Sequence, residues 1–539
     1  MTSKILRQSY VLPFVCYLTH QLTPRASSFS IHRRVCQPNN FITKYAYDFS
    51  SLEVTNSFSR LTPNSQNRNY LISFKANLST NSDTTPNETN LKSVTNIKSK
   101  KKTKKQTSNI QNKTTSSDPM DNNIQHVPKK YIPTWFHPKR TRILTEPATL
   151  DPFLNKTGKS VIYWMQRDVR TVDNWALLFS LHMAKELKVP LRVVHVLPSP
   201  EEQLQVKQSV IDNDTIKNQR MTERYASFLL GGLKLVQKEL NEMDVELNIL
   251  CSDASGSGGG NTFYEYASKD KCNAKLVICD FSPLRMFRKW MEEEAAPLLS
   301  KDNIPLYQVD AHNIVPVWVA SNKREVGART LRPKINKNIP EFMTHFPSLQ
   351  NVSNMTNMKT KTDTKMDWDA FHEFLKPDPS VPHIKWAKPG TQAALNQFHI
   401  FQTNGLKNFD TLRNDPNHKH ICSNLSPWIN FGHVSFQRLA LEVRGNKKYP
   451  NGTAAYIEEG VVRRELSDNF VYYCPDHYDS LHGAAQWAQD SLQLHIEDKR
   501  EYIYTLQQFE SGATHDDLWN AAQIQLLQEG KMHGFVSTE

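Results

Sequence analysis

From Ser160 onward, short apolar runs alternate with stretches whose apolar residues recur at helical spacing. Val161-Ile-Tyr-Trp-Met165 reads as a buried strand and Trp175-Ala-Leu-Leu-Phe-Ser-Leu-His-Met-Ala184 as a helix. A second strand over 191–197 is closed by Pro198. The cycle repeats with helix 222–242, strand 245–250, helix 262–269, strand 275–279, helix 285–299 and strand 306–309. Near-continuous apolar strands separated by helices imply parallel βαβ units, and so an open, doubly wound, Rossmann-like sheet. Ligands of such sheets sit at the carboxyl ends of the strands.

Beyond an Asn/Thr/Lys-rich connector at 348–363 the period is helical throughout, over 368–375, 391–403, 428–443, 453–470, 484–495 and 514–528. The pattern therefore predicts an α/β domain over 131–346, a linker over 347–366 and an all-helical domain over 367–539. Thr514 reads as the N-cap of the last helix, with Asp517 three residues on, and Gly530 as its left-handed stop. A helix stopped in this way and followed by Lys531-Met-His-Gly-Phe535 ordinarily leads into another buried helix, yet Val536-Ser-Thr-Glu539 ends the chain. The expectation is a helical domain incomplete at its C-terminus, with the last helix exposing Leu518, Ile524 and Leu526.

Charge changes the picture at the other end. Residues 1–142 carry 22 Lys/Arg against 6 Asp/Glu, a net of +16, while the remaining 397 carry 44 against 48, a net of −4. A basic total ordinarily points to nucleic acid, but here it describes the tail, so any DNA site in the folded part must be a local basic patch. Residues 1–130 are too polar to bury a core and are expected to be disordered. The first 60, with Lys4, Arg7, Arg25, Arg33, Arg34 and Lys44 before the first acidic residue, have the make-up of an organellar transit peptide. Lys98-Ser-Lys-Lys-Lys-Thr-Lys-Lys105 reads as a nuclear-import run or a solvated charge block. The nucleus is the expected compartment, with a mitochondrion or other organelle as the alternative.

The seven cysteines form no CxxC pair and no Cys/His metal spacing, so no metal site is expected. No apolar run approaches the ~20 residues that span a membrane, and a monomer with no membrane partner is expected.

Four stretches carry candidate chemistry. Ser255-Gly-Ser-Gly-Gly-Gly260 lacks the G-x-G-x-x-G spacing and reads as a flexible loop insertion. Met165-Gln-Arg-Asp-Val-Arg170 clusters charges where the first strand ends, with Asp173 as the cap of the following helix. Cys422-Ser-Asn-Leu-Ser-Pro427 places Ser423, Ser426 and Pro427 at a helix start, either as plain helix capping or as two hydroxyls and free backbone N–H groups offered to a pyrophosphate. In Tyr456-Ile-Glu-Glu-Gly-Val-Val-Arg-Arg-Glu-Leu-Ser-Asp-Asn-Phe470, Glu459 and Arg463 share a helix face as a salt bridge or as the wall of a polar cavity.

Five blocks in order, Tyr163-Trp-Met-Gln-Arg-Asp-Val-Arg170, Asp173-Asn-Trp-Ala-Leu177, Asp280-Phe-Ser-Pro-Leu-Arg285, Val309-Asp-Ala-His-Asn-Ile-Val-Pro316 and Gly327-Ala-Arg-Thr-Leu-Arg-Pro-Lys-Ile335, resemble the antenna domain of class II cyclobutane pyrimidine dimer photolyases. Tyr478-Asp-Ser-Leu481 and Asp498-Lys-Arg-Glu-Tyr-Ile-Tyr504 also match that pattern, and the resemblance covers residues 160–535. It implies FAD as cofactor, held by Cys422, Ser423, Asn424, Leu425, Ser426 and His533, and an antenna chromophore of unspecified identity. It implies a lesion-contacting Glu459, with Arg413 and Arg463 on the phosphate or lesion. Trp519, in Leu-Trp-Asn-Ala, matches a tryptophan that relays electrons to the flavin. The family continues beyond Lys-Met-His-Gly-Phe with the flavin-proximal Trp and ring contacts, and these are absent here.

The implied activity is light-dependent repair. Excited reduced FAD passes an electron to a cyclobutane pyrimidine dimer in UV-damaged DNA, the ring splits and the electron returns. The alternatives are a truncated, non-catalytic form that binds DNA or a partner, and a cryptochrome-like photoreceptor. Arg463-Arg-Glu-Leu-Ser-Asp-Asn-Phe470 favours repair over signalling.

Overall fold

The computed structural model describes residues 124–145, 157–204, 221–253, 258–268, 271–349 and 366–536. The tail through residue 123, most of the 347–366 linker and Ser255 to Ser257 lie outside them. Six strands, β1 (Thr141–Ile143), β2 (Ser160–Trp164), β3 (Leu191–Leu197), β4 (Glu246–Cys251), β5 (Ala274–Asp280) and β6 (Leu306–Val309), form one sheet in the order β1-β6-β5-β2-β3-β4. The five apolar strands are parallel and lie within one residue of their predicted ends. β1 is an antiparallel edge strand that the pattern missed, because Thr-Arg-Ile is too short and polar to show a period. The sheet is therefore mixed.

Period-two alternation sorts each strand between two cores. Val161 and Tyr163 of β2 and Leu276 and Ile278 of β5 face one core; Ile162, Trp164, Val277 and Cys279 face the other. Helices α1 (Trp175–Leu187) and α2 (Glu223–Asn241) cover the first face, and α3 (Gly258–Ala267) and α4 (285–301) the second. Helix α5 (Ala328–Phe342) ends the α/β half. The other half comprises α6 (Trp368–Leu375), α7 (Thr391–Asn404), α8 (Phe436–Arg444), α9 (450–473), α10 (Gln486–Leu494), α11 (Leu506–Ser511) and α12 (Asp517–Glu529).

Several local expectations are corrected. Folding begins before residue 131, since Val127 is buried and its N–H donates to Thr141 Oγ1 at 3.1 Å. The cap of α1 is Asn174, whose Oδ1 accepts from the N–H groups of Ala176 and Leu177, while Asp173 turns with φ 53°. Gly258 to Gly260 do not form a flexible insertion. They open α3 and are buried against Trp290 and Glu294 of α4, where a Cβ would overlap the indole and the carboxylate.

The predicted helix 428–443 is two pieces, Ser426–Asn430 and α8, broken at Gly432. Gly432 has φ 65° and lies against the backbone of Arg167 and Asp168, so no side chain fits there. The cap of α12 is Asp516, not Thr514, which instead bonds Asn520. Leu518 and Ile524 are exposed as expected, but Leu526 is buried beside Val381.

The two halves share one continuous core in which Phe228 of α2 packs on Trp428 and Phe431. At the switch between β2 and β5, the N–H groups of Gln166, Arg167 and Asp168 donate to Asp280 Oδ2 at 2.9, 3.0 and 3.0 Å. The chain's own carboxylate thus occupies the crevice that such sheets often give to ligands. The loops beyond β2 and β6 turn instead to the helical half: Asn313 Nδ2 donates to Asp468 at 2.8 Å and Ile314 N–H to Glu465 at 2.6 Å.

Candidate active site

Helix α9 is locally π-helical over Glu458–Arg463. The wider turn accommodates Gly460 against the ring of Phe436, where any Cβ would overlap the aromatic carbons. Glu459, one residue before that contact, accepts ion pairs from Arg463 Nε at 3.3 Å and from Arg413 Nη2 at 3.4 Å, both to Oε1. The helical salt bridge read from the sequence is present, and a second guanidinium from another element joins it.

Arg413 follows the short helix Phe409–Leu412. Its Nη1 donates to Asp410 O at 2.8 Å and its guanidinium lies 5.8 Å from the Phe409 ring centroid. All three charged side chains are partly exposed, as a ligand-facing cluster requires.

The loop after Arg413 returns to the same place. Cys422 Sγ donates to Arg413 O at 3.5 Å and lies 3.7 Å from His533 Nε2. Burial raises the Cys422 thiol above its ordinary range and lowers the His533 imidazole. Asn424 adopts the left-handed region at φ 58°, which its short polar side chain tolerates, and its Oδ1 accepts from Lys531 Nζ. Burial holds the Lys531 ammonium down to about 8. The backbone oxygen of Ser423 accepts from Gln397 Nε2 at 3.0 Å, and its hydroxyl faces Tyr456, whose phenol burial raises.

The structure thus gathers Arg413, Cys422, Ser423, Asn424, Glu459, Arg463 and His533. Leu425 is buried behind this loop. Ser426 is exposed at the head of a single turn capped by no side chain. Trp519 is half-buried on α12, its ring 5.3 Å from Phe509 and its indole N–H without a hydrogen-bond partner. Among the described residues, no hydrogen bond or ring contact joins Trp519 to the Arg413–Glu459 cluster.

Sequence reasoning missed Lys531 and Tyr456 as members of the site. Lys531 opens the Lys-Met-His-Gly-Phe run, and a lysine beside a glycine-terminated helix gives no sign that the tertiary fold buries it. The Lys531 ammonium, the Ser423 hydroxyl and the Asn424 amide form a donor set that fits a diphosphate. Among the described residues no group of three His, Cys, Asp or Glu side chains is placed to hold a metal, and no helix is long and apolar enough to cross a membrane.

A family model for DNA photolyase matches residues 161–351, the α/β half. The chain is 38% identical over 412 residues to the deoxyribodipyrimidine photo-lyase of Potorous tridactylus, covering 74% of this chain and 69% of that enzyme. It is 39% identical over 406 residues to that of Arabidopsis thaliana, covering 74% and 76%, and 35% identical over 379 to that of Methanothermobacter thermautotrophicus, covering 70% and 76%. It also aligns with the crystal structure of an archaeal photolyase from Sulfolobus tokodaii containing two FAD molecules, at 16% identity and a TM-score of 0.45, over 70% of this chain and 73% of that one. The chain belongs to the deoxyribodipyrimidine photo-lyase family.

Proposed function

We propose that this chain repairs UV-damaged DNA in the light, splitting cyclobutane pyrimidine dimers with FAD as cofactor. The observation that carries the reading is the Glu459 carboxylate held between Arg413 and Arg463, beside the loop that starts at Cys422. Ser423, Asn424, Lys531 and His533 would hold the flavin's diphosphate and adjoining groups, with Ser426 at the loop's outer end. When bound, reduced FAD excited by light supplies the electron that opens the cyclobutane ring.

The chain's own residues bind and orient. A dimer stacks and pairs poorly, so drawing it out of the duplex costs less than flipping an intact base. Glu459, paired with two arginines, acts as a hydrogen-bond acceptor for a pyrimidine N–H. Arg413 and Arg463 place positive charge where the dimer becomes anionic, which offsets the repulsion from Glu459 and favours the transition state. The same guanidiniums provide the local basic patch that a net-acidic folded part needs in order to meet a phosphate backbone.

The test is to load the chain with FAD and assay loss of dimers in an irradiated oligonucleotide, in light and in darkness. Repair confined to the illuminated sample is expected. Equal dimer content in both samples, with flavin bound, would rule the function out.

A further inference from the structure

Glu458, the neighbour of Glu459, has a partner from the other half of the molecule. Arg332 on α5 grips it through two parallel bonds, Nε to Oε2 at 3.0 Å and Nη2 to Oε1 at 2.7 Å. In a regular α-helix a side chain one turn ahead meets one of two adjacent residues, because successive positions diverge by roughly 100°. The π-helical turn relaxes that rule, and such turns recur at functional sites. Arg463 Nε accordingly lies 3.3 Å from Glu459 and 3.9 Å from Glu458. Two carboxylates are within reach of one guanidinium, and the forked grip of Arg332 keeps one of them occupied elsewhere.

We infer that Arg332 is a positioning residue that assigns Arg463 to Glu459 by holding Glu458. Without the Arg332 fork, Glu458 closes on Arg463 and Glu459 keeps only Arg413. The carboxylate then loses the two-sided restraint that fixes where it points. Arginine is suited to this role because its planar fork fits a carboxylate at two points, whereas a lysine offers a single rotatable charge. The consequence for DNA rests on the proposed contact between Glu459 and the dimer; the pairing of side chains does not.

The experiment measures binding of the full chain, in darkness, to a labelled oligonucleotide with one thymine dimer and to its undamaged counterpart. Arg332→Gln is expected to lower the ratio of the two affinities by about fivefold, the scale of one coupling within a charge network. Adding Glu458→Gln removes the competitor, so the Arg332→Gln/Glu458→Gln double variant should recover the parental ratio. An arginine that touches the phosphate backbone gives no such recovery, and one that only neutralises Glu458 leaves Arg463 on Glu459 in the crystal. An unchanged ratio in Arg332→Gln, or equal impairment of the single and double variants, overturns the inference. If the parent chain does not discriminate at all, the proposed lesion contact fails. Crystal structures of the parent and Arg332→Gln then decide the positioning separately: Arg463 moves to Glu458, as inferred, or stays on Glu459, which refutes it.

Discussion

Arg167 and Asp468 meet fork to fork across the junction of the two halves, Nη1 to Oδ2 at 2.8 Å and Nη2 to Oδ1 at 2.9 Å. Arg167 stands in the turn after β2, whose backbone is wrapped on Asp280, and Asp468 is one turn beyond the π-helical stretch of α9. The pair is buried, and Asp468 also accepts from Asn313. One ion pair therefore ties the end of the parallel sheet to the helix that carries Glu459.

Asp468→Asn should destabilise the fold by about 3–5 kcal/mol, because it leaves the Arg167 guanidinium buried without its counter-charge. Urea unfolding followed by tryptophan fluorescence measures it. A loss under about 1 kcal/mol would mean that the junction is held by its shared apolar core alone.

The same pair predicts an acid response. Burial pushes the Asp468 carboxyl up, but the charge and hydrogen bonds of Arg167, with His312 and Arg464 nearby, together bring it down to about 2 from an ordinary 3.8. A carboxyl with a depressed folded-state value adds stability above its unfolded value, and that stability is lost as pH falls through the folded one. Between roughly pH 4 and pH 2 the parent should therefore lose more stability than Asp468→Asn, which has no such proton to take up. Melting curves that fall in parallel across this interval would exclude the pair as the origin of the acid response.

Gly460→Ala places a methyl group in the ring of Phe436, and overpacking of that kind costs about 1–3 kcal/mol. Phe436→Leu, combined with Gly460→Ala, should restore part of the loss, since the smaller side chain vacates the contact. Additive losses in the double variant would show that the glycine serves some other purpose.

Two variants separate the cofactor side of the site from the lesion side. Lys531→Met should weaken FAD binding by about 1.5–3 kcal/mol, the worth of a hydrogen bond to a charged group, and is read by flavin retention on gel filtration. Glu459→Gln should leave flavin retention at the parental level and lower dimer splitting per absorbed photon by roughly 10- to 100-fold, because the neutral amide no longer holds Arg413 and Arg463 and so leaves the dimer misplaced. Parental repair by Glu459→Gln would leave Glu459 as a salt-bridge partner of Arg413 and Arg463 only.

Much of the fold was legible from the chain because its signals are local. The continuous apolar run from Val161 to Trp164 and the apolar recurrence of Trp175 to Ala184 depend on near neighbours, so the parallel strands and most helices follow from pattern. Gly530 stops α12 as read, because a left-handed terminus is a property of one residue. The nearness of Glu459 to Arg463 is likewise helical geometry.

What tertiary structure decided involves residues far apart in sequence. Gly432 ends a helix that its own neighbourhood would have continued, because the backbone of Arg167 and Asp168 occupies the space a Cβ would need. Three glycines that read as a flexible loop are packed because Trp290 and Glu294 close on them. Arg413 reaches Glu459, Lys531 reaches Asn424 and His533 reaches Cys422 only after the helical half has folded. Residue types and spacing determined which chemistry was available; long-range packing, which a one-dimensional period does not encode, decided which of those groups meet.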